Sequence, residues 1–232
     1  MRKWVMFFLI VTLSLISVTT SKASINGMRI IDFPKNSQLY ESIKISPNNV
    51  NQIIILPSQP FDEKEAAKMI NRVGLLPKSL LNKIYQNDIT LKLFTGKLTD
   101  NPPARQLKGK IPRGYPANIT WDDVPGIGGG KVVLAQIGAS DKGKGHGSIN
   151  LELHEMAHSI DHFVLNNVSQ TKEFKTLMEN EHEKLFPGKS YFEYPEEYFA
   201  EAFAMYFYNS ESKAKLKQKA PKTYKFYENL AY

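Results

Sequence analysis

The sequence contains no cysteine. That excludes a disulfide framework, a thiolate metal site and a lipid anchor on a cysteine. Any metal bound by this chain must be held by His, Glu or Asp. No long basic run occurs, so nucleic acid is not an expected partner. No internal repeat is present, and beyond the N-terminal region no apolar run is long enough to span a membrane. What is there is ordinary for a globular protein: 232 residues, 42% hydrophobic and 23% charged, sufficient for one core or two small lobes around a cleft.

The N-terminus stands apart. Arg2 and Lys3 precede an apolar run from Trp4 to Val18, and Ser21-Lys22-Ala23 follows with the small-residue character of a signal-peptidase site. Residues 1–23 read as a cleaved secretory signal, with an uncleaved anchor as the alternative. The formal charge of +7 is partly this segment. Without Arg2, Lys3 and Lys22 the chain carries 27 basic and 23 acidic residues, or +4. The expectation is a secreted, monomeric protein with no membrane attachment after cleavage.

The most informative stretch runs from Ser148 to Leu165, SINLELHEMAHSIDHFVL. His154-Glu155-Met156-Ala157-His158 is an H-E-x-x-H pattern. Residues four apart on a helix share a face, so His154 and His158 can present two imidazoles to one zinc ion. Glu155, beside a ligand, can take the proton of a zinc-activated water. Leu153, Met156, Ala157, Ile160 and Val164 recur at helical spacing as a core face. Ser148 is the expected N-cap, with Glu152 in the first turn. The plain alternative is a surface helix that happens to carry histidines.

Elsewhere the chain alternates strands and helices. Residues 24–50 carry little pattern and read as a poorly ordered lead-in or an edge element. Gln52 to Leu56 (QIIIL) reads as a buried strand. Asp62 caps a helix to Val73, with Gly74 at its stop, and Leu76 to Gln86 is a second helix. Ile89 to Phe94 and Lys131 to Gly138 are further strands, the latter expected to offer its edge to an extended peptide. Thr95 to Pro116 is rich in Gly, Pro and Lys and reads as turns. Gly126 to Gly130 (GIGGG) reads as a flexible loop. His146 lies in a second glycine-rich loop before the H-E-x-x-H helix. Ser169 is expected to cap a helix from Gln170 to about Leu185. The tail from Ser210 holds one or two amphipathic helices interrupted by Pro221.

The third zinc ligand is expected from Tyr191 to Asn209, YFEYPEEYFAEAFAMYFYN, with Pro195 at the first helical position. Glu197 and Glu201 lie on one face among Phe199, Ala202, Phe203 and Met205. Carboxylates on such a buried helix need a partner, and a metal is one. Glu197 is the expected ligand, and Glu201 is expected to accept the free N–H of a ligand histidine. The pattern H-E-x-x-H-x-x-G-x-x-H is excluded, because Asp161 and Val164 stand where it needs Gly and His. Asp161 is expected to support a ligand rather than to bind zinc. Trp121 has a reading as a core anchor.

INLELHEMAHSIDH, YPEEYFAEAFAMYFYN and KLKQKAPKTYKF together resemble the secreted bacterial Pro-Pro endopeptidases and, more distantly, the catalytic domain of anthrax lethal factor. NQIIILPS, LKLFTGKLTD, TWDDVPGIGG and KGKGHGSINLELHE share the likeness, from about Ile53 to the end. The resemblance implies a zincin-like α+β fold. An N-terminal α/β lobe (about 51–147) and a C-terminal helical lobe (about 148–232) would flank a peptide cleft within a metallopeptidase domain spanning 51–232. It implies one Zn2+ per chain on His154, His158 and Glu197, with Glu155 as general base. Tyr191 would stabilise the oxyanion, with Tyr194 as its competitor. Trp121, His146 and Glu196 would lie near a proline-rich substrate such as a bacterial surface or adhesion protein. The family's lysine two residues before the tryptophan is Ile119 here, which removes a salt bridge to Glu196 from that position. Rival readings are a zinc peptidase of broader or toxin-like specificity and a non-catalytic module that binds proline-rich peptides.

Overall fold

The computed structural model of the chain describes residues 26–45 and 50–230, and the signal reading of residues 1–23 lies outside them. A five-stranded sheet forms the N-terminal half. Its strands are β1 (Met28–Arg29), β2 (Ile54–Leu56), β3 (Thr90–Phe94), β4 (Gly126–Ile127) and β5 (Val132–Gln136), in the order β1-β2-β3-β5-β4. β2, β3 and β5 run parallel, and the edge strands β1 and β4 pair antiparallel. Parallel strands are covered on both faces. That is why Lys92 in β3 is only 5% exposed and burial lowers its pKa, although Ile89–Phe94 alternates like a half-solvated strand.

Two expectations change here, and a third resolves to one of its alternatives. QIIIL is split: α2 (Val50–Ile53) precedes the three-residue β2. A short apolar run has no period that separates a buried helix turn from a buried strand. The weakly patterned stretch before residue 51 follows its edge-element alternative where it is described. Met28 and Arg29 pair with β2, Ile30 and Leu39 are fully buried, and Glu63 accepts from the Leu39 N–H at 2.7 Å across α1 (Gln38–Ser42). Finally, β5 has no free edge, because β3 and β4 occupy both sides. The edge toward the H-E-x-x-H helix belongs to β4.

α3 (Glu63–Gly74) and α4 (Lys78–Gln86) complete this half, with the Asp62 side chain capping α3 as expected. The other half is helical: α5 (Leu151–Phe163), α6 (Lys172–Leu185), α7 (Pro195–Tyr208), α8 (Ser210–Lys219) and α9 (Pro221–Glu228). α5 buries Leu153, Met156, Ala157 and Ile160 completely, and α7 does the same with Tyr198, Phe199, Ala202 and Phe203. Each such large side chain contributes on the order of 1.5–3 kcal/mol. Polar ends are satisfied locally: Tyr227 donates to the Phe199 carbonyl at 2.7 Å, and Glu181 accepts the first N–H groups of α9. No helix of the described residues is long and apolar enough to cross a membrane.

The caps also differ from expectation. α5 is capped by Asn150, whose side chain accepts from the Leu153 N–H, while Ser148 bonds the Asn150 backbone instead. α6 is capped by Thr171, and Ser169 is turned to Asp161. Removal of the Asn150 cap costs about 1 kcal/mol. Asn150→Ala is therefore expected to lower the Tm by about 2–4 °C, read by calorimetry. An unchanged Tm would mean that Ser148 can take over.

Candidate active site

α5 and α7 pack side by side, and their facing turns bring three ligand atoms together. His154 Nε2 lies 3.2 Å from Glu197 Oε2 and 3.2 Å from His158 Nε2, and His158 Nε2 lies 3.4 Å from Glu197 Oε2. Two ligand atoms on a tetrahedral zinc at its usual bond lengths lie about 3.3 Å apart. The spacing fits such a shell. His154 Nδ1 is 3.2 Å from Glu201 Oε2, whose other oxygen accepts the Ile149 N–H at 2.9 Å. With Nδ1 donating to Glu201, a neutral His154 presents a bare Nε2 to the centre.

The electrostatics agree. Burial disfavours charge on His154, but the hydrogen bonds with Glu197 and Glu201 outweigh it and push its pKa up to about 10. Burial alone would raise Glu197, yet its bonds with His154 and His158 hold it well below the usual carboxylate range. The centre favours positive charge, which a divalent cation on two neutral imidazoles and a carboxylate supplies. His154, His158 and Glu197 are also the metal-competent cluster found among the described residues.

Glu155 sits half-buried beside this cluster. Burial raises its pKa, against the pull of His154, His158 and the nearby Gly128 N–H. The segment expected as a flexible glycine loop is instead fastened to α5. A Cβ on Gly128 would fall 1.9 Å from the Glu155 carbonyl oxygen. Gly129 N–H donates to Ser159 Oγ at 3.0 Å, and Ser159 Oγ donates to the Gly130 carbonyl at 2.8 Å. Close approach, rather than flexibility, is what Gly128 permits.

Two chambers of about 720 and 760 Å³ flank the centre. The first runs along β4 and the C-terminal half of α5, past Trp121, Glu196 and Gln170. The second runs past His146 and Ile149 to Phe186 and Met205. Tyr191, on a 3-10 turn before α7, borders both, with Glu197 nearby. Burial, with Glu197 and Glu155 nearby, pushes its pKa up, so the phenol keeps its proton. Tyr194 is 41% exposed, lies under the Arg113 guanidinium at 3.9 Å and lines neither chamber.

The other expected residues divide. Trp121 lines the first chamber and packs against Phe94, Leu98 and Val124, so its anchoring reading also holds. His146 Nε2 is 2.7 Å from the Ala139 carbonyl and must donate to it, which leaves Nδ1 a buried acceptor with no partner. Asp161 departs from its expected place. It accepts from the Ser169 N–H and hydroxyl at 3.0 and 2.5 Å, which pins the turn after α5, and no hydrogen bond joins it to a ligand histidine among the described residues.

Two residues of the cleft carried no sequence signal, Arg113 and Tyr115 in the turn-rich PRGYP segment. Arg113 Nη2 lies 2.8 Å from Glu196 Oε1 and 3.4 Å from Glu197 Oε1. It supplies to Glu196 the cation that Ile119 cannot, and Ile119 packs into the small core cluster beside Trp121. The segment is positioned by Asp122, which accepts from Thr99 Oγ1 at 2.6 Å and from the Gly109 N–H at 2.7 Å. At Gly114, with φ of +80°, a Cβ would press to 3.2 Å from the Tyr191 ring. The Arg113 guanidinium is half exposed, so the pair is worth at most about 1 kcal/mol. Arg113→Ala is expected to leave the Tm nearly unchanged and to raise KM about two- to fivefold. A large Tm loss would show that the ion pair holds the fold rather than the cleft.

A mixed α+β frame that holds an H-E-x-x-H helix against a glutamate-bearing helix defines a zincin-like metallopeptidase. The family described as "Anthrax toxin lethal factor, N- and C-terminal domain" matches residues 41–230. The Pro-Pro endopeptidase of Clostridioides difficile (strain 630) is 45% identical over 191 residues, covering 82% of this chain and 86% of that protein. The Pro-Pro endopeptidase of Paenibacillus alvei is 42% identical over 183 residues, 78% of this chain and 84% of that protein. A solved structure of the Paenibacillus alvei enzyme superposes with a TM-score of 0.75 at 41% identity, covering 79% of this chain and all of that one. The chain belongs to the anthrax lethal factor-like family, among its Pro-Pro endopeptidases, and is a metalloendopeptidase.

Proposed function

We propose that this chain is a secreted zinc metalloendopeptidase that hydrolyses the bond between two prolines in proline-rich segments of extracellular or cell-surface proteins. The observation that carries the reading is the convergence of His154, His158 and Glu197, at the spacing of a tetrahedral shell, beside Glu155 in an open cleft. His154, His158 and Glu197 would hold the zinc, which when bound would supply a Lewis acid for a water molecule and the scissile carbonyl. Glu155 takes the proton of that water and delivers it to the leaving proline nitrogen. That nitrogen leaves as a secondary amine, so the transferred proton completes the cleavage. The Tyr191 hydroxyl donates to the oxygen of the former carbonyl as charge develops. Glu201 fixes the orientation and tautomer of His154, and Asp161 acts only by holding the chain turn after His158. Trp121 offers a flat surface for proline rings, the free edge of β4 pairs with the extended peptide, and the His146 ring, fixed by the Ala139 carbonyl, walls the second chamber. The lobes on either side of the cleft correspond to residues 51–147 and 148–232, and the protein acts as a monomer.

Cleavage of a library of the form x-x-Pro-Pro-x-x, read by mass spectrometry beside x-x-Pro-Ala-x-x, tests the specificity. Cuts confined to the Pro-Pro step are expected. Equal cutting of both sets would retain the peptidase and remove the specificity.

A further inference from the structure

The two chambers share only four wall residues: Tyr115, His154, Glu155 and Tyr191. A peptide that crosses from one chamber to the other passes these four at the point where its bond is cut. Under the proposed function, on which this inference rests, three of them have roles and Tyr115 has none. Its ring packs against the small core cluster of the sheet half, while Tyr191 comes from the helical half. The two phenols therefore reach the centre from opposite lobes. The Tyr115 hydroxyl has no hydrogen-bond partner among the described residues. Burial, with Glu155 and Glu197 nearby, raises its pKa, so it remains a donor.

The chemistry of the substrate calls for such a donor. In X-Pro-Pro-X neither proline has an N–H, so the backbone around the scissile bond offers carbonyl oxygens and nothing to donate. Recognition there depends on donors from the protein. Glu155 and Glu197 are carboxyl groups, and the Nδ1–H of His154 is taken by Glu201. The phenols remain. We propose that the Tyr115 hydroxyl is a second substrate-binding donor, which hydrogen-bonds a backbone carbonyl of the peptide at the Pro-Pro step opposite Tyr191.

The test compares Tyr115→Phe with the parent protein on one x-x-Pro-Pro-x-x peptide, with zinc content and Tm measured on both. Removing one neutral hydrogen bond is expected to lower kcat/KM by about three- to tenfold at unchanged zinc content and Tm. Calorimetric binding of the same peptide to Glu155→Gln, with and without Tyr115→Phe, reads the contact without turnover and is expected to weaken by a similar factor. A fall of less than about threefold in both measurements overturns the proposal. So does a fall that follows loss of zinc or of Tm, which would mark a structural role. Failure of the parent itself to cut the peptide would instead count against the Pro-Pro reading, and the binding comparison would still judge Tyr115.

Discussion

Glu155→Gln lowers kcat by at least about 10²–10⁴-fold, the usual share of general acid–base catalysis. Zinc content and peptide affinity stay near those of the parent. Glutamine keeps the size of the side chain but cannot take a proton from water. The ligands His154, His158 and Glu197 are untouched, and the bond of His154 to Glu201 is independent of Glu155. The check is turnover of an x-x-Pro-Pro-x-x peptide beside metal analysis and calorimetry on the same sample. The same result separates the enzyme from a non-catalytic binder of proline-rich peptides, for which the substitution changes nothing measurable. Turnover within tenfold of the parent would remove Glu155 from the mechanism.

Gly128→Ala has the second large effect, on stability and activity together. The added Cβ meets backbone at 1.9, 2.7 and 3.0 Å, all from Glu155. A backbone neighbour cannot rotate aside, so β4 must lift from α5. Overpacking of this kind costs about 1–3 kcal/mol or more, and for a chain of this size a Tm fall of about 5–10 °C follows. The lift also shifts the Glu155 backbone and disturbs the free edge of β4. A displacement of about 1 Å at the reacting groups can cost 10²-fold in rate. Gly130→Ala is the control, because its Cβ would meet nothing closer than 3.7 Å. Thermal unfolding and kcat/KM of the two variants decide it. If Gly128→Ala behaves like Gly130→Ala, the loop has the freedom that its composition implies and the close approach is wrong.

That contrast shows where the sequence could be read and where it could not. The α5 and α7 helices were legible because both carry apolar positions at helical spacing and because an H-E-x-x-H pattern acts within a single turn. Glu197 was legible because a carboxylate in a helix as apolar as EYFAEAFAM needs a partner. The caps of α5 and α6 were placed two residues early. Ser148 and Asn150, like Ser169 and Thr171, are all good capping types, and only the path of the chain chooses between them. Gly128 and β4 were hidden for a different reason. A two-residue strand has no period, and a glycine needed for close packing looks the same as one needed for a turn. Arg113 and Tyr115 lie in a segment with no periodicity at all, and the partners of Arg113, Glu196 and Glu197, are more than eighty residues away. Asp161 was assigned by its neighbours on the helix, whereas Ser169, eight residues on, folds back to take its carboxylate.

The measurement that bears most directly on the whole account is a zinc titration of the chelator-stripped protein, followed by turnover of one x-x-Pro-Pro-x-x peptide. The stripped protein should be inactive. Activity should rise linearly with added zinc and level off at one ion per chain, and Glu197→Gln should bind zinc far more weakly and recover little activity. Turnover that survives stripping, or that returns without regard to Glu197, would contradict the centre built from His154, His158 and Glu197.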